Sequence, residues 1–150
     1  MTCLLGAVTI TYLHHTDGSL PHYNPKMWTF IRGAAGTIDR DVGFIEKYLF
    51  HHIVSTHVLH HHTSVIPHYN AVKASNAIKK VMGIHYKHDK TGTGMLNFLR
   101  NYWKNWMSCN WVEPSEGSIG DGQHVLFYRN NINVGVRPAS MTKDDLKKDI

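Results

Sequence analysis

Six of the thirteen histidines in this 150-residue chain lie between residues 51 and 62. On a helix that turns by about 100° per residue, His57, His60 and His61 cover one arc of about 100°, so their imidazoles can converge. Three neutral imidazoles on a common face suit Zn, Fe, Cu or Ni. This HxxHH spacing predicts a metal site. Surface or supporting roles are expected for six other histidines: His51, His52, His62, His85, His88 and His124.

The motifs of two known kinds of metal site are absent from the sequence. Carboxylate di-iron bundles need Glu-x-x-His pairs, and no glutamate here has a histidine three residues later. The HExxH motif of zinc proteases is also absent. Spacing alone therefore leaves two alternatives: a site for a single zinc ion, or a site for a redox-active metal.

The charge balance is basic, with 16 Lys and Arg against 11 Asp and Glu. A basic chain favours anionic partners, either nucleic acid or an anionic membrane surface. The chain has no basic run and no nucleic-acid-binding motif, so we expect no nucleic-acid partner. The two cysteines, Cys3 and Cys109, form no CxxC pair, which favours a reducing compartment and excludes a cysteine-rich zinc site.

The elements that must position these histidines are predicted to be mainly helical. The stretch 44–62 has no Gly or Pro and predicts one helix. Asn70 is a candidate cap for a helix over 71–82, which Gly83 would end. Strand 124–129 is predicted to form a small β-hairpin with 134–138, and 113–123 reads as loop. The apolar start, 3–13, is shorter than the roughly 20 residues that span a bilayer, so it is either a short buried helix or the end of a membrane helix.

The strongest amphipathic pattern covers residues 95–107. Leu96, Leu99, Trp103 and Trp106 share one face, and Arg100 and Lys104 lie on its flank. A basic helix that carries tryptophan can lie at a membrane surface. The same pattern also fits a helix that packs on the core, so both interpretations stay open.

Several segments, in this order, resemble the C-terminal part of the membrane fatty acid desaturases of the oleate (Δ12) acyl-lipid type. They are YLHHTDGSLPHY, RGAAGTIDRDVGF, FHHIVSTHVLHHHTSVIPHYNA, AIKKVMGIHY and WVEPSEG. The resemblance implies one domain over 1–150 that forms the cytosolic helical cap of a membrane-embedded, histidine-box enzyme. In that reading 1–13 is the remnant of the last membrane helix, 14–138 is the cap and 139–150 is a polar tail.

The resemblance also implies a set of ligands. That family holds two irons with three histidine boxes, and its third box matches His57, His60 and His61. A further family histidine matches His15, and the residue before it, usually glutamine, is His14 here. Asp39 and Asp41 are candidate acceptors for the N–H groups of the ligand histidines. Capping or surface carboxylates near Arg40 are the alternative.

The function that the resemblance implies is O₂-dependent insertion of a cis double bond, converting an oleoyl chain to a linoleoyl chain. Two hydrogens leave the acyl chain, O₂ is reduced to water, and cytochrome b5 supplies two electrons. The acyl carrier would be a phospholipid or a CoA ester, in contact with membrane lipids. Two alternatives remain: an ω3 (Δ15-type) desaturase, and a non-redox, histidine-rich metal-binding module.

The resemblance places this part of the chain on the cytosolic face of the endoplasmic reticulum membrane. Lys147 and Lys148 match the dilysine signal that retrieves membrane proteins to that compartment. The family's first two histidine boxes have no counterpart in 1–56, where HxxxH does not occur. We therefore expect the chain to be a C-terminal fragment that has no desaturase activity alone.

Overall fold

A computed structural model describes residues 2–114 and 123–131 of the chain. This part is mainly helical, with one small sheet. The second predicted hairpin strand, 134–138, and the dilysine pair lie outside the described residues. The helices are α1 (Thr2–His15), α2 (Phe30–Ala35), α3 (His57–His62), α4 (His68–Met82) and α5 (Met95–Ser108), and the strands are β1 (His22–Tyr23), β2 (Trp111–Pro114) and β3 (Val125–Arg129).

The sheet is antiparallel in the order β1-β3-β2. The predicted strand over 124–129 is confirmed as β3. Its longer partner is β2, in the register Trp111↔Arg129 to Pro114↔Leu126. The prediction of loop at Glu113 and Pro114 is therefore wrong. Pro114 is tolerated there because β2 is an edge strand, where proline's missing N–H leaves no ladder bond unmade.

The single helix predicted over 44–62 is also wrong, because the chain breaks in its middle. A π-helical turn covers Glu46–Phe50, and α3 begins only at His57. Between them, His51 and His52 have positive φ angles of 46° and 65°. The Glu46 side chain accepts a hydrogen bond from the Ser55 N–H at 2.6 Å, which holds the redirected chain.

The two longer helices after α3 differ from the predictions only at their ends. Helix α4 begins at His68 with Pro67 as its N-cap, so Asn70 lies inside its first turn and the predicted cap is wrong. The predicted stop at Gly83 is confirmed, and its φ of +53° is one that glycine adopts without a Cβ clash. The amphipathic helix predicted over 95–107 is confirmed as α5.

Helix α1 contains the apolar stretch 3–13 and ends in the core. Its Leu13 packs with Val42, Val54 and Phe98 in the main buried cluster. Within residues 2–114 and 123–131, every helix is too short or too polar to cross a membrane.

The segment 37–42 runs through the centre of the fold and joins its parts. The Ile38 N–H donates to the His14 carbonyl, and the Arg40 N–H donates to the Val54 carbonyl, both at 3.1 Å. The buried Arg40 guanidinium donates to Asp17, Asp89 and the Leu13 carbonyl. Its charge is thereby paired, which a buried cation requires. These bonds tie the end of α1 to the chain that leads into α3.

Candidate metal centre

The histidine-bearing helix α3 is anchored at its start by Asp39. This carboxylate is fully buried, and its Oδ1 accepts a hydrogen bond from the Val58 N–H at 2.8 Å. The Tyr86 hydroxyl donates to its Oδ2, and that hydroxyl also lies 2.9 Å from Ser75 Oγ. Burial raises the pKa of Asp39 to about 6, against the hydrogen bonds that favour its charged form.

Three imidazoles converge where the end of α1 meets α3. His57 Nε2 lies 3.3 Å from His15 Nε2 and 3.1 Å from His61 Nε2. One ligand nitrogen from each residue lies within 4.8 Å of the other two. Metal–nitrogen bonds of about 2.0–2.1 Å place two ligand nitrogens about 2.9 Å apart at a right angle and about 3.4 Å apart at the tetrahedral angle. The two measured separations fall inside that range.

The protonation states of this trio also suit a metal. Burial, followed by the charges of neighbouring histidines, lowers the pKa of His57 to about 2 and that of His61 to about 4. Burial lowers the pKa of His15 as well. All three rings are therefore neutral at pH 7. Neutral imidazoles offer nitrogen lone pairs, which are what a transition metal binds.

The second ring nitrogen of His57 is buried and has no hydrogen-bond partner among the described residues. If Nε2 binds a metal, the ring proton sits on this Nδ1. Ligand histidines usually donate that proton to a carboxylate or carbonyl. Asp39 instead accepts from a backbone N–H and a tyrosine, and Asp41 accepts from the Gly43 N–H at 2.6 Å. Asp39 thus supports the backbone at the start of α3, whereas Asp41 supports the turn at Gly43.

His60 lies outside the trio, although it belongs to the same HxxHH spacing. Its ring centroid is 6.0 Å from that of His57 and 5.9 Å from that of His61. It is exposed and lines a cavity of about 140 Å³ beside Phe50 and Leu59. The structure therefore brings together His15, His57 and His61, and leaves His60 at the edge of this group.

His14 is a positioning residue that sequence reasoning missed. It is fully buried, its Nδ1 lies 2.6 Å from the Ile10 carbonyl, and its Nε2 lies 2.9 Å from the Val54 carbonyl. Its ring packs on that of His57 at 4.2 Å between centroids. Burial lowers the pKa of His14 to about 4, although both carbonyls favour the charged form. The sequence did carry a signal for this role. The family that the chain resembles usually has glutamine at this position, and the side-chain amide of glutamine has two N–H donors.

Comparison with known proteins gives relatives over most of the chain. An oleate hydroxylase from Claviceps purpurea is 54% identical over 134 residues, which cover 89% of this chain and 28% of that protein. An omega-6 fatty acid desaturase, endoplasmic reticulum isozyme 1, from Glycine max is 46% identical over 123 residues, 82% of this chain and 30% of that protein. A Δ12-oleate desaturase from Trichosanthes kirilowii is 42% identical over 125 residues, 83% of this chain and 32% of that protein.

The chain spans about a third of the length of these curated relatives. No protein-family model and no solved structure matches it.

Proposed function

This chain belongs to the family of the Δ12 oleate desaturases and hydroxylases, and we propose that its histidine trio forms part of an iron centre that oxidises a fatty acyl chain. The observation that carries the proposal is the convergence of His15, His57 and His61, three neutral imidazoles from two separate helices. Iron bound there would supply the O₂ chemistry needed to remove hydrogen from an unactivated CH₂ group.

The contribution of this chain is to hold and orient ligands. Asp39 fixes the start of α3, and His14 fixes the end of α1, so the trio is positioned from both sides. Three ligands fit one ion. The proposed two-iron centre therefore takes further ligands from beyond this trio, and His60 is one such candidate. On this ligand count we expect the 150-residue chain by itself to form no new double bond.

The proposed substrate is an oleoyl chain on a phospholipid or a CoA ester, with O₂ as co-substrate and cytochrome b5 as electron donor. The proposed location is the cytosolic face of the endoplasmic reticulum membrane, to which Lys147 and Lys148 would return the protein. The Δ12-oleate desaturase of Trichosanthes kirilowii supports desaturation at Δ12, and the endoplasmic reticulum isozyme of Glycine max supports this location.

Hydroxylation of the same acyl chain is the second candidate. It is favoured by the 54% identity to the Claviceps purpurea oleate hydroxylase. Both reactions begin by removing hydrogen from the acyl chain. They differ in whether a second hydrogen leaves or a hydroxyl group is added.

The first experiment measures metal binding by the whole chain. We expect the purified protein to bind Fe(II), and Co(II) as a spectroscopic substitute, with one ion at the trio. His57→Ala should abolish that binding, whereas the matched control His62→Ala should leave it unchanged. Equal binding by both variants would contradict the proposed site.

The second experiment tests the reaction. The matched segment of the Glycine max desaturase is replaced by this chain, and the chimera is expressed in a yeast that makes no polyunsaturated lipid. Linoleate supports desaturation and hydroxyoleate supports hydroxylation. A folded, iron-loaded chimera that yields neither product, beside an active parent enzyme, would refute both. Linoleate from the 150-residue chain alone would refute the expected dependence on further ligands.

A further inference from the structure

Helix α5 packs on the rest of the protein through its polar side. Asn101 Nδ2 donates to Asp89 at 2.6 Å, and Asn105 Nδ2 donates to the Thr16 carbonyl at 2.7 Å. Asn101 and Asn105 are buried, together with Phe98 and Ser108. At about 100° per residue these four positions cover one arc of about 80°.

The apolar side of α5 faces outward. Leu96, Trp103 and Trp106 are 85%, 60% and 57% exposed, and Leu99 is also exposed. These four side chains cover an arc of about 80° whose centre lies nearly opposite the buried arc. The interpretation of this stripe as core packing is therefore wrong, since the helix packs on the core by its other side. An exposed apolar stripe of this kind marks an interaction surface.

Two basic residues border the stripe on one flank. Arg100 and Lys104 are one turn apart, about 80° and 120° from the centre of the stripe, and α5 carries no Asp or Glu. We propose that the α5 outer face, made of Leu96, Leu99, Trp103, Trp106, Arg100 and Lys104, rests on an anionic lipid bilayer surface. This contact uses none of the trio histidines, so it goes beyond the proposed oxidation and does not depend on bound iron.

The composition of the α5 outer face favours lipid over other occupants. Tryptophan is enriched at the level of lipid headgroups, where its ring meets acyl chains and its N–H meets water. An amphipathic helix at that depth places basic residues beside anionic headgroups. If a second copy docked on this face across a two-fold axis, Arg100 and Lys104 would face the same two basic residues of the other copy. Helix α5 has no acidic residue that could pair with them, so this arrangement is disfavoured.

The neighbouring helix supports the same orientation. Tyr102 of α5 contacts Tyr12 at 5.7 Å between ring centroids, and Asn105 binds the Thr16 carbonyl, so α5 lies beside the C-terminal end of α1. Helix α1 carries the apolar stretch 3–13. The C-terminal end of the most apolar segment of the chain therefore lies beside the helix that carries the exposed tryptophans.

The test is binding of the whole 150-residue chain to lipid vesicles, measured by co-sedimentation. We expect binding to phosphatidylcholine vesicles that contain phosphatidylserine. Trp103→Ala with Trp106→Ala should weaken it about tenfold or more, on the scale of burying two large aromatic side chains. Arg100→Glu with Lys104→Glu should weaken binding to these vesicles by a similar factor but leave binding to pure phosphatidylcholine nearly unchanged.

Matched controls lie on α4. Tyr69 is exposed, and so are Lys73 and Lys80. Tyr69→Ala, and the pair Lys73→Glu with Lys80→Glu, change exposed aromatic area and charge away from the α5 outer face. Both should leave vesicle binding unchanged. If they weaken it as much as the α5 variants do, vesicle binding does not depend on the α5 outer face and the proposal is overturned.

Fluorescence gives a second measurement. In a Trp28→Phe, Trp111→Phe background, only Trp103 and Trp106 emit, and brominated lipids should quench them. Unquenched emission while the chain is vesicle-bound would overturn the proposal.

Gel filtration distinguishes the other molecules that could cover the α5 outer face. If the wild type forms a dimer and the Trp103→Ala, Trp106→Ala variant does not, the α5 outer face binds a second copy of the chain. If an acidic protein binds this face and vesicles do not, the face binds a protein partner. Either result would overturn the proposal.

Discussion

Replacing Asp39 by asparagine should stabilise the metal-free protein at pH 7. The Asp39 carboxylate is fully buried, and its hydrogen-bond partners are the Val58 N–H and the Tyr86 hydroxyl. The nearby Arg40 guanidinium is bonded to Asp17 and Asp89 instead. An asparagine can accept from the Val58 N–H and donate to Tyr86, so it copies the protonated acid without the buried charge.

The magnitude follows from the raised pKa. The pKa of Asp39 moves from its ordinary value of 3.8 to about 6. Its contribution to stability is therefore full below pH 3.8 and is lost as the pH rises through 6. At about 1.36 kcal/mol per unit, the free energy of unfolding should rise by up to about 3 kcal/mol in Asp39→Asn at pH 7. Near pH 4 the gain should be close to zero, because wild-type Asp39 is then protonated when folded.

The assay is urea unfolding, followed by circular dichroism at pH 7 and pH 4, of the wild type and three variants. Asp39→Ala leaves the buried Val58 N–H without an acceptor and should destabilise by about 1–3 kcal/mol near pH 4. At pH 7 it also removes the buried charge, which offsets this loss by up to about 3 kcal/mol, so Asp39→Ala should be less stable than Asp39→Asn at both pH values. Asp41→Asn is the control, a carboxylate that caps the Gly43 N–H nearby. An Asp39→Asn variant that is less stable than the wild type at pH 7, or whose effect is the same at both pH values, would refute the reasoning.

Three further predictions concern residues that position the trio. The pKa of His14 falls from 6.5 to about 4, so stability should drop by up to about 3 kcal/mol as the pH falls from 6.5 to 4. His14→Gln has two amide donors for the same carbonyls and no titrating ring, so its stability should depend less on pH between 6.5 and 4. Thermal unfolding curves over a pH series measure this, and an unchanged pH dependence would contradict the assignment to His14. Arg40→Met should lower the free energy of unfolding in urea by about 3–5 kcal/mol, because it leaves the buried Asp89 without its cation. A loss under about 1 kcal/mol would show that the ion pair is dispensable. His51→Gly should raise the free energy of unfolding by about 1 kcal/mol, since the φ of 46° disfavours a residue with a Cβ; the control His68→Gly, in the first turn of a helix, should lower it.

Local patterns were sufficient to find the elements that carry the site. The HxxHH spacing correctly placed His57 and His61 one helical turn apart, because i and i+4 share a face. Amphipathic periodicity found α5, and β-branched and aromatic residues found β3. Each of these inferences depends on neighbours within a few positions along the chain, where helix and strand geometry determine which side chains share a side.

Contacts between distant segments decided the rest. His15 meets His57 across 42 positions, and no local pattern contains that distance. The chain breaks at His51 and His52 before α3 begins, and in the folded protein the rings of His15 and His61 lie 4.6 Å apart between centroids. The periodicity of the sequence divides α5 into a polar face and an apolar face. The polar face is the buried one because Asp89 and the Thr16 carbonyl accept hydrogen bonds from its asparagines. A buried polar group is stable only where a partner from elsewhere satisfies it, and that partner exists only once the chain has folded.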